Sequence, residues 1–328
     1  MKRITAFIIL ICLCLCSCSQ KESTEISDNG RPIVVATIFP QYDFLRELAG
    51  NKADVYLLIP PGGESHSYEP SPSDIINISK SDLFVYAGGN VDLWAERLLE
   101  AEEMTATRTI ALTDIVPLLC EEHEHEHEHD HEHDHEHGGL DEHHDHSEHE
   151  GHSEYDEHVW TSPENAIEIC LALTEELCAA DEANARFYRQ NCKAYTDKLT
   201  QLDKAAREAV ENAKHKTIVF ADRFPIRYFT EEYGLSYIAA FPGCAAETEP
   251  GPQTLVRLID TVREESIPVV FYREFSNGKV ADLVCESTGA KKLLFHSCHN
   301  LSAEDFENGE TYLSIMSRNI SNLKEALN

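Results

Sequence analysis

Short apolar runs alternate with helical patterns along the first third of this chain of 328 residues. The runs are rich in β-branched residues and predict buried strands at 31–39, 53–59 and 83–87. Helical patterns with start and stop signals follow them at 41–49, 71–80 and 94–101. Strands that alternate with helices in this way favour an α/β unit with a parallel sheet.

The same alternation returns in the last third of the chain. Strands are predicted at 217–221, 235–241, 268–272 and 292–295. Helices are predicted at 225–233, 254–265, 279–287 and 311–327. A second α/β unit is therefore expected after the middle of the chain.

Two helical patterns, 163–180 and 181–213, separate these units, and the second has neither Gly nor Pro. At 1.5 Å per residue it would extend about 45 Å, which is longer than one small lobe needs. We therefore predict two α/β lobes with mainly parallel sheets, joined by a long rigid connecting helix. The predicted divisions are an N-terminal lobe at 30–160, a helical region at 161–213 and a C-terminal lobe at 214–328.

The N-terminus has the pattern of an export signal. Two basic residues precede an apolar segment at 4–15, which is shorter than the about 20 residues of a transmembrane helix. The following Leu15-Cys16-Ser17-Cys18 resembles the lipobox of bacterial lipoproteins. We predict a signal peptide at 1–17, a lipid on Cys18 and a tether at 18–29, with attachment to the outer face of the cytoplasmic membrane. Cys16 is the second choice, because bulky Leu15 precedes it, and a cleaved signal without lipid is the alternative.

Charge and cysteine content narrow the function. The chain has 59 acidic and 27 basic residues, a net charge of −32, which disfavours nucleic acid and anionic membranes as partners and attracts cations. Seven cysteines follow Cys18, an odd number without zinc-knuckle spacing. Cys170 and Cys178 fit a buried helix face, whereas Cys244 and Cys298 lie near loops and could pair.

An unusual tract of histidine and acid occupies 121–158. It contains 14 of the 18 histidines, and no Lys or Arg occurs from 109 to 185. Neutral imidazole is the commonest zinc ligand, and the tract has too few apolar residues to form a core. We predict a disordered His-rich loop at 121–155 that holds divalent metal weakly. The competing interpretation is a solvated acidic loop that meets metal only incidentally.

Two further histidines lie in motifs beside predicted helices. Gly62-Gly63-Glu64-Ser65-His66-Ser67-Tyr68-Glu69-Pro70 follows a strand, where ligands of α/β sheets bind. Asp156-Glu157-His158-Val159-Trp160-Thr161-Ser162-Pro163-Glu164-Asn165 places His158 just before a helix. A lone histidine in either place could be a turn residue, but the two motifs flank the His-rich loop.

Together these motifs resemble the metal-binding lipoproteins of zinc and manganese ABC importers, the cluster A-I or cluster 9 solute-binding family. The family patterns are G-x-x-x-H-x-Y-E-P and D-x-H-V-W-x-x-P-x-N, and the resemblance extends over about 31–327. It implies an exported, lipid-anchored, monomeric zinc receptor that delivers Zn²⁺ to an ABC permease and its ATPase, without catalysing a reaction. It also implies a metal site in the cleft between the lobes, for which Mn²⁺ is the alternative ion.

The same resemblance implies which residues bind the metal. His66 and His158 match the family's histidine ligands. The family's third ligand, a His or Glu, falls at Arg223, which cannot bind a cation, so Asp222 is the candidate unless it caps a helix or pairs with Arg223. The fourth ligand is expected at Glu274.

Other residues offer alternatives to these two carboxylates. Glu274 could instead form a surface salt bridge with Arg273 or Lys279. Glu247 and Glu249 are expected in a solvated turn, although they could contribute from a loop. His296 and His299 follow the last strand and would complete the site if Asp222 does not, although a structural role is the expected one.

Two other functions compete with the receptor hypothesis. A metal-dependent hydrolase would need an open coordination position beside a general base, and the chain has no H-E-x-x-H motif. A cell-surface metal buffer or adhesin would use the His-rich loop alone.

Overall fold

The computed structural model describes residues 29–100, 107–120, 155–241 and 250–328. The predicted signal peptide, Cys18, nearly all of the His-rich tract, Cys244, Glu247 and Glu249 lie outside these ranges. Within them, no helix combines the length and the apolar character needed to cross a membrane.

The first lobe is built on a four-stranded parallel sheet with the strand order β2-β1-β3-β4. Its strands are β1 (Ile33–Ala36), β2 (Asp54–Leu57), β3 (Leu83–Tyr86) and β4 (Arg108–Ala111). Strand β1 is buried on both faces, which explains its continuous apolar sequence. The edge strand β4 was not predicted, because its first two residues, Arg108 and Thr109, are polar and exposed.

Three helices of this lobe were predicted, and their bounds are Phe39–Ala49, Pro72–Ser79 and Leu93–Glu100. The first begins two residues earlier than the pattern indicated. Pro40 lies in its first turn, where a missing N–H group costs no hydrogen bond, so proline starts this helix and the strand ends earlier, at Ala36.

The second lobe repeats the arrangement with the strand order β6-β5-β7-β8, again parallel. Its strands are β5 (Thr217–Arg223), β6 (Ser236–Phe241), β7 (Val269–Tyr272) and β8 (Lys291–Leu294). Its helices are Arg227–Tyr233, Pro252–Glu264, Lys279–Thr288, Ala303–Glu307 and Tyr312–Ala326. The short helix Ala303–Glu307 was not predicted.

Two helices lie between the sheets: Pro163–Ala180 and the long helix Ala185–Glu211, which has 27 residues. At 1.5 Å per residue the long helix extends about 40 Å. Its Tyr195 ring packs on Phe44 of the first lobe, and its Leu199 belongs to a hydrophobic core that also includes Phe271 of the second lobe. The predicted fold, two parallel α/β lobes joined by a long helix, is confirmed.

Hydrogen bonds also join the lobes directly. We call the contact between 60–66, which follows β2, and 297–301, which follows β8, the interlobe seam. In it Gly62 N donates to Leu301 O at 2.6 Å. The Asn300 amide donates to the carbonyl oxygens of Pro60 and Gly63, at 3.0 and 2.9 Å. The seam fixes two loops that come from different sheets.

Phe295 begins the second of these loops and anchors it in the core. Its ring centroid lies 5.5–5.9 Å from those of Phe220, Phe229 and Phe271, and its side chain is fully buried. Aromatic rings at this spacing add to the stabilisation from buried area.

Replacing Phe295 with Ala should therefore lower the free energy of unfolding by about 3–5 kcal/mol, the cost of removing a buried aromatic ring. Phe275→Ala is the matched control, because Phe275 is 50% exposed, and it should change stability by about 0.5 kcal/mol or less. Urea denaturation of both variants measures the difference. Equal losses would show that the aromatic cluster does not hold this loop.

Candidate metal centre

His66 lies on the loop between β2 and the helix Pro72–Ser79. The loop turns at Gly62, whose φ of +81° favours glycine. A Cβ on neighbouring Gly63 would lie 2.9 Å from the carbonyl oxygen of Pro60, so the turn has no room for a side chain there. The close turn allows the loop to form the interlobe seam, which directs the following residues toward the second lobe.

His158 is held by its own short motif. The carboxylate of Asp156 accepts hydrogen bonds of 2.8 Å from both the backbone N–H and the ring Nδ1 of His158. With the proton assigned to Nδ1, the lone pair that a metal needs lies on Nε2. Tyr228 of the second lobe donates to the carbonyl oxygen of Asp156 at 2.7 Å, which fixes the position of the motif.

His299 lies on the second-lobe side of the interlobe seam. It is buried, and its Nε2 shares a hydrogen bond of 2.8 Å with the hydroxyl of Ser65. Its backbone carbonyl accepts from Phe39 N at 3.4 Å. Trp160 packs against its ring at a centroid distance of 5.2 Å and donates through Nε1 to Ser297 O at 2.9 Å. The residue is thus held by contacts with the first lobe and with the His158 motif.

The three histidines converge on one point. One ring nitrogen from each of His66, His158 and His299 lies within 4.8 Å of the other two. A tetrahedral Zn²⁺ with nitrogen at 2.0–2.1 Å would hold such atoms about 3.3 Å apart. A small inward movement of the side chains would therefore suffice to bring all three nitrogens onto one ion.

The surroundings keep the rings of His66 and His299 neutral. Burial, with the nearby charges of His158, Arg273 and Arg223, lowers the pKa of His66 to about 3. Burial and the charges of His66, His158 and Arg273 also hold the pKa of His299 well below its usual range. Burial raises the pKa of Asp156, but the charge and hydrogen bonds of His158 outweigh this and lower it overall. His66 and His299 are thus in the neutral form that binds metal, and an ionised carboxylate lies behind the His158 ring.

The two predicted carboxylate ligands have other partners. Glu274 accepts a hydrogen bond of 2.8 Å from Ser297 N and a second from the Ser297 hydroxyl. Asp222 lies 3.5 Å from Nε of Arg273 and accepts from the backbone N–H of Arg223 at 2.8 Å. Neither belongs to the histidine group. In this geometry each carboxylate supports the polypeptide around the site, and metal binding by Asp222 and Glu274 stays a prediction.

The two C-terminal histidines differ in role. His296 accepts at Nδ1 from Cys298 N at 2.9 Å, and its backbone exchanges hydrogen bonds with the Asn319 side chain. It therefore shapes the loop, as expected. His299, also expected to be structural, is the third member of the group. The signal that could have found it is its place beyond the last strand, at the sheet edge where ligands bind.

Comparisons with known proteins identify the family of this chain. Residues 34–326 match the profile of the family described as ZnuA, zinc-uptake complex component A, periplasmic. The chain belongs to the ZnuA family. This confirms the resemblance that the two histidine motifs indicated.

Two curated relatives illustrate the family. The high-affinity zinc uptake system protein ZnuA of Bacillus subtilis is 32% identical over 297 residues, 90% of this chain and 87% of the relative. The zinc-binding lipoprotein AdcA of Streptococcus pneumoniae is 31% identical over 303 residues, which are 92% of this chain. The match spans only 57% of that relative's length.

Solved structures show the same architecture. The zinc-bound ZnuA-like domain of AdcA from Streptococcus pneumoniae superposes with a TM-score of 0.72 at 29% identity, covering 91% of this chain and 99% of that domain. The metal-dependent lipoprotein YcdH of Bacillus subtilis superposes with a TM-score of 0.74 at 28% identity, covering 90% and 99%. The two-lobed fold is therefore that of ZnuA-like proteins.

The neutral histidines predict how the stability of the metal-free protein depends on pH. The unfolded chain takes up protons below the ordinary pKa of 6.5, whereas folded His66 stays neutral down to about 3. The free energy of unfolding should therefore decrease as the pH is lowered, and His66 alone should account for about 1–2 kcal/mol between pH 7.5 and pH 5. His66→Gln should show a smaller fall in urea denaturation at the two pH values. The His-rich tract is present in both proteins, so its titration does not affect the difference between them. An equal loss of stability in wild type and His66→Gln would show that folded His66 is not held neutral.

Proposed function

We propose that this chain is an extracytoplasmic zinc receptor that delivers Zn²⁺ to an ABC importer. The observation that carries the proposal is the convergence of three histidines from both halves of the chain, two of which, His158 and His299, are buried. Names of relatives support it, since they describe zinc uptake and zinc binding.

In this proposal His66, His158 and His299 are the protein ligands. Neutral imidazole needs no proton release from His66 or His299 at physiological pH, and the bond to Asp156 orients the His158 ring. If the hydrogen bond from His299 Nε2 to Ser65 persists, Nδ1 of His299 is the atom that binds. Asp222 and Glu274, which the family pattern suggested, act in this proposal on the loops around the site.

The ligand set favours zinc over manganese. Three imidazole nitrogens suit Zn²⁺, which forms tetrahedral sites with nitrogen donors. Mn²⁺ prefers carboxylate, carbonyl and water oxygen, and the histidine group includes no carboxylate. The receptor should therefore bind Zn²⁺ more tightly than Mn²⁺.

Partners and location follow from the same proposal. A lipid on Cys18 would hold the receptor at the outer face of the cytoplasmic membrane, where an ABC permease with its ATPase would accept the ion. The receptor would bind and release zinc without changing a covalent bond, so we propose no enzymatic activity. The His-rich tract would collect zinc near the site or sense its abundance.

Zinc titration calorimetry separates the receptor from a buffer or adhesin that uses only the His-rich loop. In the mature chain with 121–152 deleted, we expect one tight site. Removing a residue that only hydrogen-bonds to a ligand lowers metal affinity about 10–100-fold. Removing the ligand itself in His158→Ala should therefore lower zinc affinity at least about 100-fold. His215→Ala, which removes a histidine outside the group, is the control. Loss of all tight binding on loop deletion alone would favour the buffer.

Asp156→Asn tests the positioning of His158. The amide keeps the size of the side chain but removes the charge that supports the imidazole, so zinc affinity should fall about 10–100-fold. Asp181→Asn is the control, because Asp181 accepts from Tyr188 at 2.7 Å at the helical junction. Circular dichroism should show both variants folded. Unchanged zinc affinity in Asp156→Asn would remove Asp156 from the site.

A further inference from the structure

Two arginines lie beside the histidine group, at the end of β5 and just beyond β7. Strands β5 and β7 are parallel neighbours, so Arg223 and Arg273 share the carboxyl edge of the second sheet. The positive charges of both residues lower the pKa of His66, and that of Arg273 also lowers the pKa of His299. Glu274, which follows Arg273, accepts from Ser297 N at 2.8 Å, and the Ser297 hydroxyl accepts from His299 N at 3.2 Å, so this edge of the sheet adjoins the loop that carries His299.

The acidic groups nearby neutralise these arginines only partly. Asp222 lies 3.5 Å from Nε of Arg273, yet this nitrogen is buried without a hydrogen-bond partner. Glu274 is occupied by Ser297. Within the described parts of the chain, the Arg223 guanidinium has neither a hydrogen bond nor an ion pair. One guanidinium and part of another thus remain available to an anion.

A zinc ion bound by three neutral imidazoles would keep a net charge of two beside these arginines. Three histidines also leave one position of a tetrahedral zinc open. A small oxyanion in that position would lower the charge at the site and accept hydrogen bonds from guanidinium. Guanidinium binds carboxylates and other oxyanions through paired N–H groups.

We propose, resting on the zinc-binding function above, that the receptor takes up zinc together with a small carboxylate, which occupies the fourth zinc position and is held by Arg223, with Arg273 beside it. Arg223 then has a role at the position where the family has a His or Glu. The protein ligand is replaced by an anion from solution and a residue that holds it.

Zinc affinity measured with and without formate tests this proposal. The full mature chain, given less than one equivalent of zinc, competes against a fluorescent chelator in a buffer with perchlorate, a weak ligand, as the counterion. Formate at about 20 mM should raise the zinc affinity of wild type about tenfold, since favourable coupling between two ligands is commonly 5–150-fold. The same series is run with 121–152 deleted.

Two substitutions at one position make the test specific. Arg223→Gln removes the guanidinium, and the formate effect should fall below about threefold, less than typical coupling. Arg223→His supplies a protein ligand and should bind zinc tightly without formate. Arg189→Gln removes an equal charge from an exposed pair with Glu175 and should keep the full formate effect.

The outcomes are distinguishable from failure of the receptor function. Tight zinc binding that does not depend on formate in either chain would overturn the anion proposal and leave the receptor proposal standing. An equal formate effect in Arg223→Gln and wild type would also overturn it. Formate dependence that emerges only after removal of 121–152 would overturn the proposal for the full chain. Absence of zinc binding under all conditions would remove both proposals.

Discussion

The geometry of the histidine group depends on the interlobe seam. His66 and His299 come from loops that follow strands of different sheets, so neither sheet alone sets the distance between them. The Asn300 side chain and the Gly62 N–H bond the two loops together, and Ser65 bonds to His299 directly. On the second-lobe side His299, Asn300 and Leu301 are buried, so separating the loops would break their hydrogen bonds and disturb their packing. The ligands are therefore placed in advance of any ion.

The continuous hydrophobic core reinforces this constraint. The long helix packs on both lobes, and Tyr312 of the last helix donates to the carbonyl oxygen of Trp160 while its N–H bonds to buried Asp43 of the first lobe. Wide opening about a hinge would break these contacts together with the seam. Release of the ion is easier to achieve by local displacement of a histidine-bearing loop than by rotation of whole lobes.

Sequence patterns predicted the fold because the central strands are buried on both faces. Continuous β-branched runs are typical of such strands. The Ser-Pro start located the helix Pro163–Ala180 to the residue. The edge strand β4 was not predicted, because Arg108 and Thr109 face solvent. Propensity alone carries little information where burial does not select the residues.

The site, in turn, was predictable only where its residues lie in motifs. His66 and His158 are each surrounded by a pattern, whereas His299 meets Ser65 across 234 positions of sequence. The carboxylates of Asp222 and Glu274 are engaged by Arg273 and Ser297, and such pairings depend on side-chain directions that spacing does not specify.

Attraction of the ion and its tight binding depend on different groups. The net charge of −32 draws cations toward the chain, but in physiological salt such a field is screened within about 8 Å. Close to the histidines the charges are mixed, since Asp156 is ionised behind His158 while Arg223 and Arg273 act on His66. The repulsion of the two arginines acts on any cation that enters the site. An ion that bonds strongly to nitrogen gains enough to overcome it.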